Sequence, residues 1–296
     1  MSAATSGADV PGAEVPGASA VVARLTERFA AAGIATPAAD ARWLVLGALG
    51  WTAAQLTLAG DRPLSAAQLR TVLALAERRA RREPLQLVLG GTSFRGHALA
   101  LRRGVFIPRP ETELLVDLVL DALPEGGVVV ETCAGSGAVA CVVAAERPDA
   151  RVIAIDRAAA AVALVRDNAA GLGVTVDVRR GALLAPVPAA LRGHVDVVVA
   201  NPPYLAEPEV ADLEPEVAAW DPRDALVAGP TGHEVSDALI ADAPAHLRPG
   251  GSLLLEVDER RAVQTATRAR AAGLTAARTH DDLTGRPRFV SARRPG

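Results

Sequence analysis

Val198-Val199-Ala200-Asn201-Pro202-Pro203-Tyr204 is an apolar, mostly β-branched run that stops at two prolines. The run begins near Val195, and its unbroken apolarity predicts a strand buried on both faces, as in the middle of a parallel sheet. Neither proline can donate to a ladder and each fixes its own φ, so the strand ends in a rigid, extended turn. Open α/β sheets bind their ligands at the carboxyl ends of such strands. There Asn201 offers an amide that both donates and accepts, the Pro202 carbonyl has no ladder partner, Pro203 stiffens the turn and Tyr204 supplies a flat face. This set suits a planar group carrying an NH2, either a side-chain amide or an exocyclic base amine.

Working outward, strands and helices alternate from residue 127 on. Strands are expected over 128–130, 152–155, 174–178, 195–200, 252–256 and near 288–291, with helices over 137–145, 158–170, 236–247 and 261–272. The alternation predicts an α/β domain with a doubly wound, mainly parallel sheet and right-handed crossovers. Glu131-Thr132-Cys133-Ala134-Gly135-Ser136-Gly137 lies between the first strand and its helix. Glycines there let a ligand approach the backbone, and the helix start faces it with free N–H groups. Asp156 closes the second strand about twenty residues on, where a carboxylate accepts both hydroxyls of a ribose. The pattern points to a nucleoside-containing cofactor.

Upstream, residues 1–18 are Gly, Ala, Ser, Pro and Val with almost no charge, the composition of a disordered tail. Residues 19–83 carry apolar stripes at helical spacing and form a small helical domain. Its run Arg78-Arg79-Ala80-Arg81-Arg82 is expected on an exposed, solvated helix end, complementing the dipole. Residues 84–108 contain β-like pieces on either side of Arg95-Gly96 and predict a hairpin linker. A catalytic domain is expected over 109–296. It begins with Pro108-Arg109-Pro110-Glu111-Thr112-Glu113, which by physics alone is a helix entry.

Composition narrows the classes. The 296 residues are 50% hydrophobic and 3% aromatic, contain no lysine, and carry a net charge of −3. The acidic balance gives no global attraction to nucleic acid or an anionic membrane, and no separate basic recognition region follows. No apolar run reaches the ~18 residues of a membrane span, and no signal-peptide pattern opens the chain. Cys133 and Cys141 have no Cys or His cluster at metal spacing, and a reduced, cytoplasmic setting is expected. His97, His194, His233, His246 and His280 show no zinc-like spacing and are read as surface or loop residues.

Taken together, the motifs resemble the release-factor glutamine methyltransferase family, class I enzymes that use S-adenosylmethionine. The resemblance spans about residues 20 to 292. It rests on the 108–113 entry, the glycine loop, Asp156, Asn168, Asn201-Pro202-Pro203-Tyr204, Asp221-Pro222-Arg223, Ala225-Leu226, Leu247-Arg248-Pro249-Gly250-Gly251 and Asp282-Leu283-Thr284-Gly285-Arg286. It implies a Rossmann-like methyltransferase domain behind a small helical domain. S-adenosylmethionine would lie against Cys133, Ala134, Gly135, Ser136, Gly137, Asp156, Leu183 and Asn201. Catalysis would fall to Asn201, Pro202, Pro203 and Tyr204, with the glutamine of a release factor's Gly-Gly-Gln loop as acceptor. Asn-Pro-Pro-Tyr also occurs in adenine-N6 DNA methyltransferases; the 107–113 entry is more particular to the glutamine enzymes. Three departures stand out: Glu131-Thr132-Cys133 where the family has Asp-x-Gly, Gly181-Ala182 where it has an Asp for the adenine amine, and Glu256-Val257-Asp258 for Glu-His-Gly. They resemble a side branch found in high-GC bacteria. Cys133 fits the turn only with a negative φ. Alternatives are another protein glutamine, a small amide or amine, or the adenine N6 of a nucleic acid as acceptor, and a non-catalytic protein that docks a translation factor.

Overall fold

The computed structural model describes residues 15–296. Most of the tail expected over 1–18 lies outside the described residues; Val15 to Ala18 do not belong to a tail. Leu64 N–H donates to the Pro16 carbonyl, and Ala18 opens the first helix fully buried. The chain forms two compact units, one ending at Leu89 and the other starting at Gly90.

The first unit is five helices: α1 (Ala18–Ala31), α2 (Pro37–Leu49), α3 (Ala53–Ala59), α4 (Ala66–Ala80) and α5 (Leu85–Leu89). Their starts follow capping chemistry. Thr52 and Ser65 each accept the N–H three residues on, while Gln55 and Gln68 reach back to the cap N–H. Val21, Leu25 and Phe29 of α1 pack with Leu44 and Val45 of α2 and Val72 and Ala76 of α4. The arginine run corrects its reading as a solvated helix end. Arg79 is 6% exposed and pairs with Asp40 at 2.6 Å. Arg78 forks onto Glu83 and donates to the carbonyls of Leu87 and Val88. These arginines hold the end of α4 to α2 and α5, because their long stems carry the charge to partners that sequence spacing does not reveal.

The second unit opens with the antiparallel hairpin β1 (Gly91–Phe94) and β2 (His97–Ala100), turning at Arg95-Gly96, both at positive φ. Then follow α6 (Thr112–Ala122), β3 (Val128–Thr132), α7 (Ala138–Glu146), β4 (Arg151–Asp156), α8 (Ala159–Leu172), β5 (Asp177–Arg180) and β6 (Val195–Ala200). The next stretch holds β7 (Leu205–Ala206), α9 (Pro215–Trp220), α10 (Arg223–Leu226) and β8 (Val227–Gly229). The chain closes with α11 (Glu234–His246), β9 (Leu247–Glu256), α12 (Ala262–Ala271), β10 (Thr275–Asp281) and β11 (Pro287–Arg293).

The main sheet has seven strands in the order β10-β11-β9-β6-β3-β4-β5. The five from β9 to β5 are parallel; β11 runs antiparallel to both its neighbours. β6 is buried along its whole length, with Val197 and Val199 in the core under α6 and α7, and Val198 and Ala200 in the core under α11 and α12. Asp196 joins the amino ends of three strands: its carboxylate accepts the Val128 N–H of β3 at 2.8 Å and pairs with Arg248 of β9. β10 has no counterpart in the sequence reading. Its Thr-Ala-Ala-Arg-Thr-His-Asp is an edge strand without the apolar run of a buried one. Strand β5 lies three residues later than the apolar 174–178 stretch, whose Val174 and Val176 pack on the core from the preceding loop. His246, inside α11 and 2% exposed, contradicts its reading as a surface or loop residue; His233 is a loop residue, at the cap of α11, but buried at 5% exposed.

Candidate active site

β3, β4 and β6 end at one side of the sheet and open on a cavity of about 570 Å³, within the ~300–1,000 Å³ of small-molecule sites. The floor is the turn after β3. Ala134 N–H donates to the Ile155 carbonyl and Gly135 N–H to Asp156, so the loop must double back within three residues. Cys133, Gly135 and Gly137 all take left-handed φ, of 55°, 55° and 76°. The negative φ expected at Cys133 is therefore wrong. The reversal demands a left-handed residue there, which costs a non-glycine about 1–2 kcal/mol. Gly135 faces the cavity: a Cβ on it would meet only Phe106 Cβ, at 3.8 Å. Gly137 serves packing instead, since a Cβ there would come within 2.8 Å of Val165 on α8.

Asp156 ends β4. One carboxylate oxygen accepts Gly135 N–H at 2.9 Å and the other Ala158 N–H at 2.8 Å. Each oxygen keeps capacity for one more donor, which fits a pair of vicinal hydroxyls. On the far wall Thr132 Oγ1 donates to the Leu183 carbonyl at 3.1 Å and holds Leu183 at φ 47°. Gly181 and Ala182 line that wall without a polar side chain. Asn201, Pro203 and Tyr204 form the near wall. Phe106 lies beside them with the Arg109 guanidinium over its ring. Buried Asp221 accepts the Ile107 N–H and pairs with Arg109, tying the 104–109 stretch to the 221–226 stretch, both of which border the cavity.

Of the residues expected at the site, Asn201, Pro203, Tyr204, Cys133, Gly135, Asp156 and Leu183 line this one cavity. Ala134, Ser136, Gly137 and Pro202 lie outside its wall and are buried. Gly104, Val105 and Phe106 are wall residues that the sequence reading assigned to a hairpin linker. Their signal was the apolar Val-Phe-Ile before a proline pair, which no local rule connects to a strand end 95 residues away. The site holds little acid–base capacity. Burial pushes the Tyr204 phenol and the Cys133 thiol up to about 12, so both stay protonated at neutral pH. Burial also lifts Glu131 to about 8 and Glu256 to about 7. Among the described residues no group of His, Cys, Asp and Glu could hold a metal ion, and no helix is long and apolar enough to cross a membrane.

A strand order with one antiparallel strand inserted near the edge, a glycine turn on a helix start, and an acidic β4 end define a class I S-adenosylmethionine-dependent methyltransferase. The chain matches the PrmC N-terminal domain over residues 20–90 and the methyltransferase small domain over residues 104–215. It is 43% identical to the release factor glutamine methyltransferase of Mycolicibacterium smegmatis over 274 residues, which is 91% of this chain and 95% of that one. It is 40% identical to that of Deinococcus radiodurans over 278 residues, 93% and 98% of the two chains. The chain belongs to the release factor glutamine methyltransferase family. Among solved structures, a methyltransferase from Pyrococcus furiosus shares the fold, with TM-score 0.50 and 18% identity over 79% of this chain and all of that one.

Proposed function

We propose that this enzyme methylates the side-chain amide nitrogen of a protein glutamine, and that the glutamine lies in the Gly-Gly-Gln loop of a peptide-chain release factor. One observation carries the reading: Asn201, Pro203 and Tyr204 open on the same cavity as Asp156 and the glycine turn. Relatives about 40% identical over most of their length bear the release factor name.

When bound, S-adenosylmethionine supplies a methyl group already activated by its sulfonium. The residues of the chain have only to position and align. Asp156 takes the ribose hydroxyls, and Gly135 lets the cofactor lie close to the backbone. Asn201 Oδ1, at the cavity wall, would accept an N–H of the acceptor amide and hold its nitrogen toward the methyl, while Pro202, buried behind the wall, would fix the turn that presents it. The same oxygen would favour the positive charge that develops on that nitrogen. Tyr204 packs on the amide plane. The extra proton on nitrogen leaves to water after transfer, so no side-chain base is needed.

Labelled methyl from S-adenosylmethionine should pass to a release factor from the same organism and not to a Gly-Gly-Gln→Gly-Gly-Ala version. Asn201→Ala should abolish transfer while the melting curve stays in place. Label on the Gly-Gly-Ala factor, or an active Asn201→Ala enzyme, contradicts the reading.

A further inference from the structure

The turn from Asn201 to Tyr204 is entered from β6, a long buried strand, but it is left through β7, which is only Leu205 and Ala206. β7 pairs with β8 through a register shift, and so short a strand is a weak anchor. A carboxylate reinforces it. Glu209 Oε2 accepts the Ala206 N–H at 2.7 Å and an N–H from Arg261 Nη2 at 2.7 Å. Arg261 caps α12, and its side chain is 11% exposed. Its Nε donates to the Thr231 carbonyl at 3.4 Å, in the loop between β8 and α11. The next residue, Gly232, lies between the guanidinium and the turn. A Cβ there would stand 2.6 Å from Arg261 Nε and 2.6 Å from the Tyr204 carbonyl oxygen, so the packing leaves no room for a side chain.

The guanidinium therefore bears on both sides of Leu205: on Tyr204 through Gly232, and on Ala206 through Glu209. Arg260 reaches the other Glu209 oxygen at 3.0 Å, but its side chain is 60% exposed and such a pair adds little. Arg261 Nη1 is buried without a hydrogen-bond partner among the described residues. A buried cation with a donor left over is a poor source of stability compared with apolar packing. What a guanidinium offers instead is a rigid fork that fixes two partners at once.

We infer that Arg261 and Glu209 are positioning residues that set where Tyr204 stands, and so govern transfer to the acceptor and not cofactor binding. The inference rests on the reading of the 201–204 turn as the acceptor wall. The residues that take the cofactor in that reading, Asp156 and Gly135, belong to β4 and the turn after β3. α12 packs on β10 and β11, across β6 from them.

Tyr204 is the one tyrosine of the chain, so enzyme grown with meta-fluorotyrosine gives a single fluorine NMR signal that reports this ring. In Arg261→Met and in Glu209→Gln that signal should shift or split. Arg268→Met removes an ion pair to Asp237 from the same helix and should leave it in place. In turnover, Arg261→Met should lower kcat about 10- to 100-fold, with S-adenosylhomocysteine affinity by calorimetry within twofold of wild type. Glu209→Gln keeps an oxygen for the Ala206 N–H and should lose less; it decides the question alone where Arg261→Met fails to fold. The double variant should fall no further than Arg261→Met, because the two residues act as one unit. A Tyr204 signal unmoved in the single variants, losses that add in the double, or a cofactor affinity that falls together with kcat overturns the inference. A wild-type enzyme that labels no release factor defeats the acceptor reading alone, and the fluorine spectra still decide whether Arg261 and Glu209 place Tyr204.

Discussion

Cys133 combines two conflicting demands. It lines the cavity, and it also carries a left-handed backbone that suits glycine. Relief of that strain, about 1–2 kcal/mol, outweighs the extra freedom glycine gives the unfolded chain, about 0.4–1 kcal/mol. Cys133→Gly should therefore raise the melting temperature by about 1–4 °C, and Cys133→Val should lower it, since a β-branched residue tolerates that region worst. Scanning calorimetry of the two variants checks both signs. The position also marks how far single residues could be read from sequence. The convergence of Asn201, Asp156 and Gly135 on one cavity was legible, because strand ends and the turn after β3 place them there. The φ of Cys133 and the burial of His233 and His246 were not, because each is imposed by groups distant in the chain.

At the scale of elements, one side chain joins three of them. Asn168 on α8 is 3% exposed. Its Oδ1 accepts the Ala100 N–H at 2.8 Å, and its Nδ2 donates to the carbonyls of Ala100 at 3.1 Å and Ser136 at 2.8 Å. The amide thus completes the outer edge of hairpin strand β2 as a further strand would, and also fixes the turn beneath the cavity. Asn168→Ala leaves one buried donor and two acceptors unpaired and should cost about 2–4 kcal/mol in urea unfolding. Asn168→Asp keeps the acceptor for Ala100 N–H but sets negative charge against two carbonyls, and should be no better. A loss under 0.5 kcal/mol for both would show that the hairpin is held by its own ladder. The strands and helices themselves were mostly legible, β6 above all, because local apolar runs report burial. β10 was not, since an edge strand faces solvent and needs no such run, and the arginines ending α4 read as solvated because their partners are fixed only by packing.

For the molecule as a whole, two buried carboxyls set a pH trend. Burial raises Glu131 to about 8 although its carboxylate accepts the Ala140 N–H at 2.8 Å, and raises Glu256 to about 7. Between the ordinary carboxyl value of 4.5 and these raised values, the native state holds protons that the unfolded chain has released. Each group therefore withdraws stability as pH rises through that window. Glu131→Gln cannot titrate, so its melting temperature should gain on wild type steadily from pH ~5 to ~9. A gap that stays constant across that range would mean Glu131 is charged in the native state throughout.

Asp196 sits at the opposite end of the sheet from the cavity, fastened to β3 on one side and β9 on the other. Five residue steps of strand, about 17 Å, separate it from Asn201. A slip of one residue between neighbouring strands turns every side chain to the other face. The distant carboxylate therefore acts as a benchmark from which the rulers of β3 and β6 are laid, and Thr132 and Ala200 come level at the far end because those two share a zero. β9 is tied at Arg248, shifts register before Ser252, and from there runs in step with β6 as far as Leu255. The accuracy with which an amide can be presented to a methyl group is thus set partly where no substrate ever comes.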